Sequence, residues 1–245
     1  MCVLLVGFRV LPGVPVIVAA NRDEAYARPA TVPERVRAGD AWALAPRDLQ
    51  AGGTWEGATE RGLAVVVTNR RDGDFDVSRP SRGQLCRATL ALRDARAVRL
   101  FVEGETRRRR YNSFNLFFAD SARAFVASWN GSLETTELAP GAHTLSNEHA
   151  LGELVLPELS GVDWRAPTLE ALRSRLVEAL SSHTPYGGFT VCKHGEMHGT
   201  VSASLITVVT PEVDSIGRRV LLEHAPGPPC RTPFVAYDLP FLPPD

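Results

Sequence analysis

The stretch MCVLLVGFRVLPGVPVIVAANRDE, Met1 to Glu24, decides how this chain is read. Within it VPVIVAAN, Val14 to Asn21, is β-branched and almost uninterrupted, the pattern of a strand buried on both faces. Leu11-Pro12-Gly13 ahead of it has turn composition, so CVLLVGF folds back to pair with VPVIVAAN. In such a hairpin the far end of the second strand returns to the start of the first, and Asn21 to Glu24 come beside Cys2. Side chains alternate along a strand, so Asn21 and Asp23 share one face while Ala20, Arg22 and Glu24 share the other.

That juxtaposition has chemical meaning. Removal of Met1 would leave Cys2 with a thiol and a free α-amine on one residue, a nucleophile and a base together. An α-amine titrates near about 7.7–8.0 and a free thiol near about 8.5, so a small environmental shift activates the sulfur at neutral pH. Asp23 is on the face suited to reach that amine. Taken singly, each feature has a plainer reading. Four scattered cysteines (Cys2, Cys86, Cys192, Cys230) are ordinarily inert core thiols, and an Asn-Arg-Asp-Glu string is ordinarily a solvated strand end. Their joint position is what points to catalysis.

Several ordered strings make the chain resemble the NRDE family, the transport and Golgi organisation proteins. They are AANRDEAYARP (Ala19 to Pro29), GGTWEG (Gly52 to Gly57), RGLAVVVTN (Arg61 to Asn69), SRGQL (Ser81 to Leu85), YNSFNLFFAD (Tyr111 to Asp120), LSN (Leu145 to Asn147) and VCKHGEMHGT (Val191 to Thr200). That family in turn resembles the amino-terminal-nucleophile (Ntn) hydrolases with an N-terminal cysteine, a group that includes bile-salt hydrolases and penicillin V acylase. The resemblance implies an α+β fold, a four-layer αββα sandwich. It also implies catalytic roles: Cys2 as nucleophile, Asp23 as the aspartate, Asn69 and Asn147 as the two later asparagines that serve the oxyanion and the base. Two positions depart from the pattern. The enzymes' arginine falls on Ala20, with Arg22 on the other strand face, and the family's usual Tyr-Gly-Thr-Arg reads His198-Gly199-Thr200-Val201 here.

The bulk composition narrows the function classes. A chain of 245 residues, 44% hydrophobic, suits a single domain over residues 1–245 with a substantial core. With 27 basic against 28 acidic residues, no general affinity for nucleic acid is expected. Arg107 to Arg110 read as a solvated basic loop. No apolar run approaches the roughly 20 residues of a membrane span, and Arg9, Pro12, Gly13 and Pro15 interrupt any secretory pattern. A cytoplasmic location with reduced cysteines is the expectation, and Asn130-Gly131-Ser132 is a turn rather than a glycosylation site. Oligomeric state is not readable.

Beyond the tetrad, Arg28 to Asp40 reads as a surface loop, and Gly52-Gly53-Thr54-Trp55 as a tight turn whose tryptophan walls a pocket or fills the core. GLAVVVTN is an apolar strand with Asn69 at its polar tip, where an amide donor can meet an oxyanion. Arg82 to Glu103 reads as a helix capped by Ser81, with Cys86 on its core face. A strand series follows, in which Asn112 and Asn115 are turn and edge residues. Thr168 to Ser181 is an amphipathic helix started by Thr168 or Pro167. GGFTVCKH, SASLITVVT and GRRVLLEHA are expected closing strands, and Pro226 to Asp245 an irregular tail. Cys192, His194 and His198 lie close in sequence and offer metal-ligand chemistry, but their spacing is not that of a zinc site and a fourth ligand is missing. No metal and no cofactor is therefore expected.

The leading functional expectation is an enzyme that cleaves, or transfers an acyl group from, a small non-peptide amide or thioester. Asn21, Arg22, Trp55 and Arg82 are its candidate substrate-binding residues. The alternative is a non-catalytic carrier of an apolar small molecule, for which the resemblance suggests haem or an acyl-CoA or lipid.

Overall fold

The computed structural model describes residues 3–73, 75–147, 151, 164, 166–185, 190–213 and 218–240. Cys2 lies outside the described residues, as do Gly187 to Phe189 of the expected GGFTVCKH strand.

The opening hairpin is the centre of the molecule. β1 (Val3–Leu11) and β2 (Val14–Ala25) are antiparallel, with Leu4 opposite Ala20 and Leu5 opposite Ala19, so the far end of β2 does return to the start of β1. Gly13 adopts a positive φ of 72° in the connecting turn. Around this pair a six-stranded antiparallel sheet forms in the order β10-β1-β2-β11-β12-β13, adding β10 (Gly141–Ser146), β11 (His198–Val208), β12 (Arg218–Ala225) and β13 (Val235–Pro240). A second, seven-stranded sheet runs in chain order: β3 (Glu34–Ala38), β4 (Ala41–Ala45), β5 (Glu56–Thr59), β6 (Ala64–Asn69), β7 (Phe114–Ala119), β8 (Ala124–Trp129) and β9 (Leu133–Glu137). The helices are α1 (Arg82–Thr89), α2 (Ala95–Arg108) and α3 (Leu169–Ser181).

Strand alternation explains the layering. On β1 and β2, Leu5, Ile17 and Ala19 pack under Leu172, Leu176 and Leu180 of α3. Their neighbours Leu4, Val16 and Val18 face the second sheet and meet Val66, Phe117 and Val126. The other face of the second sheet, with Val65, Phe114, Leu116 and Phe118, is covered by Leu85, Val98 and Val102 of α1 and α2. Three apolar seams between four layers make the αββα sandwich. Each fully buried Val, Leu or Phe contributes about 1.5–3 kcal/mol, which accounts for the unbroken β-branched reading of β2.

Local chemistry corrects the sequence reading at four places. The helix expected over Arg82 to Glu103 is two helices, because the Asp94 carboxylate accepts the Ala97 N–H at 2.8 Å and caps a new one. Within the expected loop Arg28 to Asp40, Glu34–Ala38 forms the edge strand β3. The expected tail holds a further edge strand, β13, ending on Pro240, a position where a missing N–H is tolerated. Residues 190–197 form no strand and make one isolated bridge, His194 to Gly199. Thr168 caps α3 through Ala171 N–H at 3.2 Å, and Cys86 is a fully buried core residue. Among the described residues no helix is long and apolar enough to cross a membrane.

Candidate active site

β2 presents the tetrad to two different environments. On the α3 face, Asn21 is buried and its Nδ2 donates to Leu180 O at 2.9 Å and Val191 O at 3.0 Å, which ties the last turn of α3 to the segment before β11. Asp23, on the same face, accepts from Thr200 Oγ1 at 2.7 Å, with Lys193 Nζ at 3.9 Å. Arg22 points the opposite way and lies over the Trp55 ring, its Cζ 4.2 Å from the centroid. A bulge between Thr200 and Ser202 lets β11 follow this end of β2.

A cleft of about 360 Å³ opens beyond the tetrad, and Arg22, Asp23, Trp55, Asn69 and Arg82 all line it. Its opposite wall depends on close backbone approach. Thr54 N–H donates to Gly83 O at 3.0 Å, and a Cβ on Gly53 would come within 2.2 Å of the Gly83 carbonyl carbon. Only glycine fits at position 53, and Gly52 takes a positive φ of 71°, so the Gly-Gly pair before Thr54 has two separate causes. The Asp48 carboxylate holds the same turn through the N–H groups of Gln50 and Ala51 and pairs with Arg28 at 2.6 Å. Burial alone would raise the Asp48 pKa, but Arg28 and the two N–H groups bring it below the usual carboxylate value. Arg82 donates to Ser113 O at 2.9 Å, and burial lowers its pKa. A separate cleft of about 410 Å³ between β3, β4 and α1 is lined by none of the candidate residues.

Beneath the cleft lies a cavity of about 30 Å³, room for one small polar group, lined by Val3, Asn21, Arg22, Glu56, Thr68 and Ser202 among others. Asn21 Oδ1, Thr68 Oγ1 and Ser202 Oγ are buried and have no hydrogen-bond partner among the described residues. An unsatisfied buried polar atom costs about 1–3 kcal/mol, so three on the walls of one small cavity mark a place suited to a polar guest.

The same layer contains a linked acid and base that the sequence reading passed over. Glu56, 1% exposed, accepts from Ser204 Oγ at 2.5 Å, and Ser204 Oγ lies 2.8 Å from Nδ1 of His224, itself 2% exposed. Burial pushes the Glu56 carboxyl up to about 7 against the opposing bonds from Ser204 and Trp55 and the charge of Arg22. Burial, helped by Arg22, lowers His224 to about 4. With Glu56 ionised, Ser204 donates to the carboxylate and His224 donates to Ser204. With Glu56 protonated, both bonds can reverse. Glu56 lines the small cavity, while His224 lines an outer cleft of about 200 Å³ with Arg22, Trp55 and Val201, so the three side chains join an inner space to an outer one.

The candidates thus divide by place. Asp23, Asn69, Arg22, Trp55 and Arg82 share the cleft, and Asn21 lines the small cavity. Asn69 is exposed at the end of β6. Asn147 lines neither space; it lies one residue past the ladder that sets Ser146 opposite Val3, and its buried Oδ1 has no partner among the described residues. Val201, where the resemblance expects an arginine, shares the outer cleft with Arg22. Asn115 is not an edge residue: it is buried in β7, donates to Ser146 O at 3.2 Å and accepts from Ser128 Oγ at 2.7 Å, joining the two sheets. Glu56 sits inside the GGTWEG string, where a lone acid between Trp55 and Gly57 was the available signal. Ser204 and His224 carried none.

This architecture recurs in solved structures. Penicillin V acylase from Agrobacterium tumefaciens superposes with a TM-score of 0.59 at 12% identity, covering 97% of this chain and 86% of that one. An N-acylethanolamine-hydrolyzing acid amidase ortholog from Caenorhabditis elegans gives 0.52 at 14% identity, covering 98% and 100%. Conjugated bile acid hydrolase from Clostridium perfringens gives 0.51 at 9%, covering 98% and 92%. The fold is that of the Ntn hydrolases. Within it, residues 1–209 match Transport and Golgi organisation 2, and the chain belongs to that family. The Transport and Golgi organization protein 2 homolog of Bos taurus is 32% identical over 164 residues, 60% of this chain, and the Homo sapiens homolog is 30% identical over the same length. The match spans 57% of the length of each of these relatives.

Proposed function

We propose that this chain is a cysteine acyl hydrolase or acyltransferase of the Ntn type, acting on a small non-peptide amide or thioester. The observation that carries the reading is the trio of buried polar atoms, on Asn21, Thr68 and Ser202, that have no partner among the described residues and surround a cavity that Val3 also lines. Val3 is the covalent neighbour of Cys2. Cys2 attacks the acyl carbon, and its α-amine takes the thiol proton and delivers it to the departing amine or thiol. The resulting acyl thioester then passes to water or to an acceptor amine. Asp23 orients the amine, Asn147 offers it an Oδ1 that has no partner among the described residues, and Asn69 with a backbone N–H stabilises the oxyanion.

The cleft also suggests the substrate's character. Arg22, Arg28, Arg79 and Arg82 line it together with Asp23, Glu24 and Asp48, and Arg28 is held by Asp48; Arg22 and Arg82 are the cations that suit an acyl donor carrying a carboxylate or phosphate away from the reacting bond. That lining favours an acyl substrate with a charged end over the carriage of a wholly apolar ligand.

The test uses protein whose Met1 has been removed, checked by intact mass. Cys2→Ala abolishes hydrolysis across a panel of amides and acyl-CoA thioesters while the circular dichroism spectrum is unchanged, and a chloroacetyl electrophile labels Cys2 at neutral pH. Full turnover by Cys2→Ala refutes the mechanism.

A further inference from the structure

The chain folds four soft ligands together away from the cleft. His183 lies two residues beyond α3, Cys192 and His194 lie in the segment leading into β11, and Cys230 lies between β12 and β13. Their ligand atoms all fall within 4.8 Å of one another. Three of them converge on one nitrogen: His194 Nε2 is 3.1 Å from His183 Nε2, 3.4 Å from Cys230 Sγ and 3.7 Å from Cys192 Sγ. A ring nitrogen has one proton or one lone pair, so it cannot satisfy three such partners by hydrogen bonding. A shared cation at the centre can satisfy all of them.

The separations from His194 fit such a cation. With Zn–S near about 2.3 Å and Zn–N near about 2.0–2.1 Å, a tetrahedron has N···N edges of about 3.3 Å and N···S edges of about 3.6 Å. The three separations lie within about 0.2 Å of those edges. His198, which sequence proximity had grouped with Cys192 and His194, instead starts β11 opposite Ala25 of β2, and His183 and Cys230 complete the set.

We propose that His183, Cys192, His194 and Cys230 form a Cys₂His₂ structural zinc site. Binding displaces the two thiol protons to solvent, so two thiolates and two neutral imidazoles leave the site with no net charge. All four positions are taken by protein, which makes the ion structural rather than catalytic. The segment it clamps also supports β2. Val191 O accepts from Asn21, Cys192 N–H donates to Ser182 O at 2.9 Å, and Lys193 N–H donates to Thr200 Oγ1, which itself donates to Asp23. Zinc therefore fixes the floor on which Asn21 and Asp23 rest, whatever chemistry the cleft performs.

The test is metal analysis of untagged protein, reconstituted with zinc under reducing conditions and freed of loose metal by gel filtration. About one zinc per chain is expected, falling at least tenfold in Cys192→Ser and in His194→Ala, and unchanged in Cys86→Ser and His198→Ala. Cobalt substitution of the wild type should give the thiolate charge-transfer and intense visible bands of a tetrahedral Cys₂His₂ centre, and Cys230→Ser should weaken the former. This readout holds for any variant whose circular dichroism shows it folded. Wild-type protein that retains no zinc overturns the proposal, as does zinc retained in both single-ligand variants, or a Cys192–Cys230 disulfide in the reduced preparation.

Discussion

Replacing Glu56 by Gln should expose a pH dependence that the native chain conceals. Raising the Glu56 carboxyl from 4.5 to about 7 means that the folded state holds a proton the unfolded chain gives up, so stability falls as pH rises through that window, by roughly 3 kcal/mol in all. Lowering His224 from 6.5 to about 4 has the opposite sign: the unfolded chain takes up a proton first, and stability falls by a similar roughly 3 kcal/mol as pH drops from 6.5 to 4. Between pH 4.5 and 6.5 the two slopes nearly cancel, and this pair leaves the wild type almost level. Glu56→Gln keeps a neutral acceptor for Ser204 and removes one slope. Urea unfolding of that variant should therefore gain about 2–3 kcal/mol relative to wild type between pH 5 and pH 8. His224→Asn should show the reverse tilt, losing stability relative to wild type as pH rises from 4 to 6.5. The two groups share Ser204, so the measured midpoints belong to the pair. A Glu56→Gln difference that stays constant across this range refutes the buried acid and the linkage built on it.

Further predictions follow from single contacts. Thr200→Val removes the hydroxyl that accepts Lys193 N–H and donates to Asp23, and should cost about 1–3 kcal/mol in chemical denaturation while lowering turnover, since Asp23 loses its orienting bond. Gly53→Ala should destabilise by more than about 2 kcal/mol, because its Cβ would meet the Gly83 backbone, whereas Gly104→Ala in α2 meets nothing and should gain up to about 1 kcal/mol in thermal unfolding. Arg22→Lys keeps the charge but loses the flat guanidinium over Trp55, and should raise KM several-fold with little change in kcat if Arg22 binds an anionic substrate end.

The parts of the fold that could be read from sequence were those fixed by local pattern. Val14 to Asn21 has one stable use, a strand with apolar cover on both sides, and the turn ahead of it dictates its partner. Arg82 to Glu103 misled because periodicity continues through a break imposed by the Asp94 cap on Ala97 and by the distant Asp120 carboxylate, which accepts the Ala95 N–H. The β3 and β13 edge strands escaped because edge pairing is set by the neighbouring strand and little by composition, and Pro-rich segments mimic loops. At the site, the tetrad and the Gly-Thr-Trp turn announced themselves by unusual residues in fixed order. Ser204 and His224 did not, since a serine and a histidine 20 positions apart become partners only through the register of β11 on β12. The same holds for Cys230, which reaches His194 across 36 residues.

The inter-sheet seam is where structure and chemistry pull against each other. Leu4, Val18, Val66, Ile206 and Leu222 show that this layer can be filled with aliphatic side chains. Toward the tetrad end the same layer instead holds Glu56, Ser204 and His224, with Thr68 and Ser202 unpartnered among the described residues. Replacing a whole buried hydrogen-bonded set of this kind by well-packed apolar groups can be neutral or stabilising, so stability alone gives no reason for the cluster. Its position does give one. It borders the cavity lined by Val3 and Arg22 and reaches the outer cleft through His224. A carboxyl pushed up to about 7, linked through a hydroxyl to an imidazole, can take or return a proton at a small cavity whose other walls carry the polar atoms of Asn21, Thr68 and Ser202. Ser204→Ala cuts that link while leaving the acid and the base in place. If the link carries protons to the reacting centre, the variant should lose activity chiefly on the limb of the pH–rate profile governed by Glu56, and an unchanged profile would confine the cluster to a structural role.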